Sequence, residues 1–376
     1  LYIGLCLVPW INLFFITNTY SIKLLYMLYI ICGNMALFTA HLVSIPQVKI
    51  YNILLQFANL KPKYTPIVNL LFLFMALKYR RDKHISLKLD IERNTIKFMM
   101  HLPCISVTTL FKVRIFLNQY QPPKYNAKFE VRIQKHSHST SELIIQKKTN
   151  CLVLQLPGGG YEVGFCQMYR KSAELIHNKT GFNVASLDYR VSPNKYPAAL
   201  EDALEAYQFY QKNYDEIIFS GTSAGGNLAL ALGLKLQELQ IKLPKAMVLM
   251  SPWTDMAAEG SSYKEKMYID HLFSVDKNLK FDRKLIFKSG YASGDLKNPF
   301  LSPKYGQYDN FCPVLIQVGG DECLLDDSIS IFDKLKKFNS KLHIYPGMFH
   351  SFQHIAPYSK EGKQAWNEVQ EFIAVL

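Results

Sequence analysis

Beyond about residue 128 the chain alternates short apolar runs with helix-period stretches, and no other feature limits its fold as much. "CLVLQL", "NVASLDY", "EIIF", "AMVLMS", "VLIQVG" and "KLHIYP" have the length and apolar character of core strands. Between them lie segments such as "ALEDALEAYQFYQKN" and "AGGNLALALGLKLQELQ", which carry the longer helical period. Strands separated by helices pair mostly in parallel and are covered on both faces. "KFEVRI" and "ELIIQ" come first and look like an early strand pair. The predicted fold class is therefore α/β, a mostly parallel sheet between helical layers, over residues 128–376. The stretch from about Thr254 to Leu301 has no strand of comparable strength and interrupts the alternation, so it is predicted to be a cap inserted over the site.

Chemistry gathers at the predicted strand ends. "IIFSGTSAGGNLALAL" runs from a strand through small residues into a helix, with Ser223 flanked by Gly221 and Gly225. Such a strand, turn and helix unit exposes a serine hydroxyl above the sheet, and the helix start aims its dipole and the Ala224 N–H at developing negative charge. A serine hydroxyl needs a base, and the base an orienting acid. "GDECLLDD" follows "VLIQVG" and offers Asp321, with Glu322, Asp326 and Asp327 as rivals; "GMFHSF" follows "KLHIYP" and offers His350, with His354 as rival. Strand-end placement favours Asp321 and His350. Upstream, "LQLPGGGYEVG" brings Gly158, Gly159 and Gly160 after a strand, where their N–H groups can approach a carbonyl without side-chain obstruction. Tyr161, Trp253 and Phe352 are the candidate substrate contacts.

As a set, "PGGGY", "LDYRVSPNKYPAALEDALEAYQF", "GTSAGGNLAL", "SPWTDM", "GGDECLLDD" and "GMFHSF" resemble the blocks of the hormone-sensitive-lipase-like branch of the α/β-hydrolases, which includes arylacetamide deacetylases and fungal steryl acetyl hydrolases. The resemblance implies Ser223 as nucleophile, His350 as base and then acid, Asp321 as orienting carboxylate, and Gly159, Gly160 and Ala224 as oxyanion donors. It implies a carboxylic ester hydrolase that acts on lipophilic acetyl esters such as steryl acetates, needs no cofactor or metal, and is anchored by its N-terminus, in the endoplasmic reticulum. In the "DYR" block, Asp188 and Arg190 are expected to make structural polar contacts, and Pro197 to start a helix bearing Glu201 and Asp202. One departure stands out. Where the family usually has His before its three glycines this chain has Pro157, which stiffens the approach but supplies no imidazole.

The N-terminal third reads differently. Leu1–Ile22 carries no charge, and Leu24–Val48 is interrupted only by the titratable His41. A bilayer core takes about 20 apolar residues of helix, so residues 1–48 are predicted to be a membrane anchor of one or two helices. Residues 49–127, with the shorter apolar run Pro66–Leu77, form a membrane-proximal region. The formal net charge of +13 comes from scattered Lys and Arg without a nucleic-acid motif, which favours an anionic membrane surface over nucleic acid. Seven cysteines show no metal-ligand spacing and indicate no disulfide framework. Two other functions share this pattern of residues: a noncatalytic small-molecule receptor or scaffold, which Pro157 keeps open, and an amide or formamide hydrolase using the same triad.

Overall fold

The computed structural model describes residues 125–126, 128–145, 149–273 and 287–376. The expected anchor (1–48) and, apart from Tyr125 and Asn126, the membrane-proximal region (49–127) lie outside the described residues. Among the described residues no helix is long and apolar enough to cross a membrane.

The elements run β1 (Glu130–Lys135), β2 (Thr140–Ile145), β3 (Cys151–Leu156), α1 (Gln167–Thr180), β4 (Asn183–Asp188), α2 (Ala198–Gln211), β5 (Glu216–Thr222), α3 (Ala224–Glu238), β6 (Ala246–Met250), α4 (Ser262–Glu265), β7 (Val314–Gly319), α5 (Leu325–Leu335), β8 (Lys341–Tyr345), α6 (Phe352–Ile355) and α7 (Lys360–Ala374). All eight form one sheet in the order β1-β2-β4-β3-β5-β6-β7-β8. β1 and β2 pair antiparallel, β2 meets β4 antiparallel, and every later pairing is parallel. The expected α/β class is thus observed, with each predicted strand in place.

Alternate residues of the central strands enter opposite cores. Ile217 and Phe219 of β5 and Met247 and Leu249 of β6 face one cluster with α2, α3 and α5; Ile218, Val248 and Met250 face the other. α1 and α7 cover that second face through Ala173, Ile176, Trp366, Val369 and Phe372. A strand buried on both sides must be apolar throughout, which is why β5 and β6 read as continuous runs. Each fully buried Leu, Ile or Phe contributes about 1.5–3 kcal/mol, so these two layers hold the strand ends rigid. The described parts of the stretch predicted as a cap, residues 254–273 and 287–301, are mostly turns around the short α4, and Leu301 is tied to α3 by the side chain of Asn227.

Candidate active site

β5 ends at Thr222, and the chain reverses into α3 at Ser223, whose φ of 55° and ψ of −120° are strained for a residue with a side chain. The flanking glycines permit the bend. A Cβ on Gly225 would stand 1.9 Å from Leu156 O, and one on Gly221 would stand 2.5 Å from Gly225 O. Three backbone bonds hold the turn: Ser223 N–H donates to Met250 O at 3.0 Å, and Ser223 O accepts from Asn227 N at 3.1 Å and Trp253 N at 3.0 Å. Ser223 is therefore fixed at the carboxyl end of the sheet, directly before the N-terminus of α3.

The acid follows the end of β7 and the histidine the end of β8. His350 is 3% exposed, and its Nδ1 lies 2.9 Å from Glu322 Oε2. That pairing engages Nδ1 rather than Nε2. The other oxygen, Oε1, accepts from Gly319 N at 2.6 Å and from Ser251 Oγ at 2.6 Å. Ser251 Oγ in turn accepts from Ser351 N at 3.1 Å. One buried hydroxyl thus binds the acid and the histidine loop together, and Ser251 itself hangs from Gln317 O of β7 at 2.7 Å. On another side of His350, the ring of Phe273 lies 4.7 Å away. The buried carboxyl of Asp270 accepts from Leu272, Phe273 and Cys323 N–H groups; burial pushes it up, while the Cys323 N–H and the neighbouring His350 pull it back.

The acid differs from the expected Asp321. After β7 the chain turns at once: Gly320 N donates to Tyr345 O, Asp321 N to Met348 O, and Glu322 N back to Gly319 O. Asp321 therefore sits in the turn, with its amide tied to the loop after β8, and the following side chain swings back over the strand end. Glu322, 0% exposed, is the carboxylate that meets His350.

The glycine loop lies against the nucleophile. A Cβ on Gly158 would come within 2.6 Å of Thr222 O and 3.0 Å of Ser223 Cβ. Gly159 has φ of 142°, which L side chains rarely adopt, and its carbonyl accepts from Glu162 N and Val163 N, both at 3.0 Å. That carbonyl is fixed within the turn, so the Gly160 N–H of the same peptide is fixed facing the other way. Ser289 Oγ donates to Gly160 O at 3.0 Å. At Pro157 the backbone carbonyl accepts from the Tyr189 hydroxyl, so the loop has a polar anchor despite lacking an imidazole.

The structure packs all three expected substrate contacts among neighbouring side chains. Tyr161 is 1% exposed; its ring stacks on Tyr291 at 4.3 Å, and its hydroxyl donates to Asn227 Oδ1 at 2.8 Å, so it supports the loop from beneath. Trp253 is buried in the main core, its Nε1 donating to Asp255 O and its ring beside Phe287, which makes it part of the packing. Phe352 is 0% exposed in a small cluster with Tyr345, Met348 and Phe349, behind the histidine loop. Arg190 pairs with Asp202 at 2.8 Å and Glu201 at 3.1 Å, a structural role as expected. Two contributors escaped the sequence reading: Ser251, and Asn227, whose Nδ2 donates to Trp253 O and Leu301 O, both at 2.8 Å.

A strained serine at a strand-to-helix turn, a histidine paired with a buried carboxylate and a glycine loop beside them define a serine hydrolase. Residues 153–354 match the family model described as alpha/beta hydrolase fold, and the chain belongs to that family. An esterase of Acinetobacter venetianus is 31% identical over 241 residues, covering 62% of this chain and 78% of that protein. An acetyl-hydrolase of Streptomyces hygroscopicus is 31% identical over 235 residues, covering 61% and 77%. The solved structure of an esterase from the bacterial hormone-sensitive lipase family matches with a TM-score of 0.66 at 29% identity, over 76% of this chain and 97% of that one. Within the family, this chain is a carboxylic ester hydrolase.

Proposed function

We propose that the protein removes acetyl groups from lipophilic esters, steryl acetates among them, through an acyl-enzyme on Ser223. The observation that carries this reading is the strained turn at Ser223, pressed against the glycine loop at Gly158. Ser223 Oγ attacks the ester carbonyl carbon as His350 Nε2 takes the hydroxyl proton. The carbonyl electrons move to oxygen, which the N–H groups of Gly159, Gly160 and Ala224 hold. Collapse breaks the bond to the leaving oxygen, which departs as the alcohol with the proton from His350. Water then gives its proton to His350 and attacks the acetyl carbon; acetate leaves and Ser223 regains its hydroxyl. Glu322, bonded to Nδ1, keeps the imidazole oriented and stabilises its charged form.

The acetyl preference is supported by the acetyl-hydrolase relative, and a lipophilic substrate by the aromatic side chains of Phe273 and Phe287 on the His350 side. The uncharged runs Leu1–Ile22 and Leu24–Val48 support an N-terminal anchor, with the endoplasmic reticulum as its proposed membrane. The test compares the detergent-purified protein with its Ser223→Ala variant on short-chain, acetyl and steryl acetyl esters. Release of acetate by the native protein alone is expected; equal release by both would defeat the reading. Resistance of the protein to alkaline extraction from membranes tests the anchor.

A further inference from the structure

A second buried histidine lies beside the nucleophile, and the chemistry above does not use it. His354, on α6, is 9% exposed. Its Nε2 is 2.6 Å from Thr222 Oγ1 and its Nδ1 is 2.8 Å from Ser172 Oγ of α1. Tyr169 and Trp366 meet its ring edge-on at 5.5 Å and 5.7 Å. Thr222 is the last residue of β5, directly before Ser223. A hydroxyl both donates and accepts, so both contacts are satisfied whichever ring nitrogen carries the proton. The imidazole therefore bridges α1 to the strand end that carries the nucleophile, with α7 behind it.

This bridge stands where positional control is needed. The Ser223 backbone occupies a region that persists only when its surroundings over-determine it. Apolar side chains at 222 and 354 would fill this space with no polar group to desolvate, but they would fix no direction. The same wall also touches the glycine loop: a Cβ on Gly158 would stand 2.7 Å from Tyr169 Oη and 2.6 Å from Thr222 O. We propose that His354 is a positioning residue for ester hydrolysis: by locking the Thr222 side chain to α1, it sets the turn at Ser223 in register with the loop that holds the oxyanion. The proposal rests on Ser223 being the nucleophile.

The test measures kcat and KM on p-nitrophenyl acetate for the full chain and for Thr222→Val, Thr222→Ser, His354→Phe and the Thr222→Val/His354→Phe double variant. Each is normalised to the fraction that a fluorophosphonate titrates to completion. A shift of about half an ångström in the nucleophile costs roughly tenfold in rate. Thr222→Val and His354→Phe should each lower kcat about tenfold at a KM within twofold. The double variant should fall no further, because both single changes break the same bond, and Thr222→Ser, which keeps the hydroxyl, should retain at least half the rate. A Thr222→Val loss below threefold, equal losses in Thr222→Val and Thr222→Ser, or multiplied losses in the double variant would overturn the proposal. If His354→Phe does not fold, the comparison of Val with Ser at 222 decides alone. Hydrolysis surviving in Ser223→Ala would instead defeat the assignment of the nucleophile.

Discussion

Glu322→Gln is the substitution whose effect the geometry specifies most fully. Glu322 Oε1 accepts from two donors, Gly319 N and Ser251 Oγ, each at 2.6 Å. In the glutamine variant the amide oxygen must take that place, since the amide nitrogen there would face two donors. The amide nitrogen then faces His350 Nδ1, where the carboxylate had been an acceptor at 2.9 Å. With an N–H pointing at it, Nδ1 becomes the acceptor and the ring proton moves to Nε2. That tautomer cannot take the proton from Ser223. The corresponding carboxylate-to-amide exchange in a serine protease lowers kcat by about 10⁴, or about 5 kcal/mol at 1.36 kcal/mol per decade. The assay is kcat on an acetyl ester, with active fraction from fluorophosphonate titration and folding from the thermal midpoint. Asp321→Asn, measured beside it, should stay within about threefold of the native rate. A large loss in Asp321→Asn together with a small one in Glu322→Gln would refute the pairing.

Three further outcomes follow from the same network. Ser251→Ala removes a hydroxyl that holds both Glu322 and the Ser351 amide; hydrogen bonds to charged groups are worth about 1.5–3 kcal/mol, and kcat should fall at least about tenfold with little change in KM. Asn227→Ala strands the Tyr161 hydroxyl and the carbonyls of Trp253 and Leu301, so denaturant titration should show a loss of about 3 kcal/mol or more. The Asp327 carboxyl is pushed well above its usual range, first by burial and then by the nearby Asp255 charge, against the pull of the Thr254 and Asp255 amides. The folded state then binds the extra proton, so this group's contribution is present below the ordinary aspartate pKa and is lost as pH rises through the higher folded value. Stability of Asp327→Asn relative to the native protein should therefore improve between pH 4 and pH 8; a constant or falling difference in thermal midpoint would contradict this.

The sheet was readable because its strands are buried on both faces, which forces apolar runs such as Cys151–Leu156 and Val314–Gly319 to stand out. Ser223 and His350 were readable because a tight turn at a strand end leaves local composition as its signature. Glu322 was not, since adjacent carboxylates in "GDEC" differ only by which one the turn swings back over β7, and that depends on Tyr345 at the end of β8 and Met348 in the loop that follows it. The aromatic residues were harder still. Tyr161, Trp253 and Phe352 border the site in sequence, yet an aromatic ring serves equally as pocket wall or core, and only the structure shows that they pack against Tyr291, Phe287 and Tyr345. Ser251 gave no local sign at all, because its role is defined by residues from two other strand ends.

The central claim is that Ser223 is a nucleophile activated by His350 and Glu322. Its most direct test is the mass of the intact protein after reaction with a fluorophosphonate, followed by peptide mapping. A single adduct on Ser223, absent from Ser223→Ala and formed far more slowly in Glu322→Gln, is the predicted result; a folded protein that takes no label, or takes it on another residue, would contradict the account.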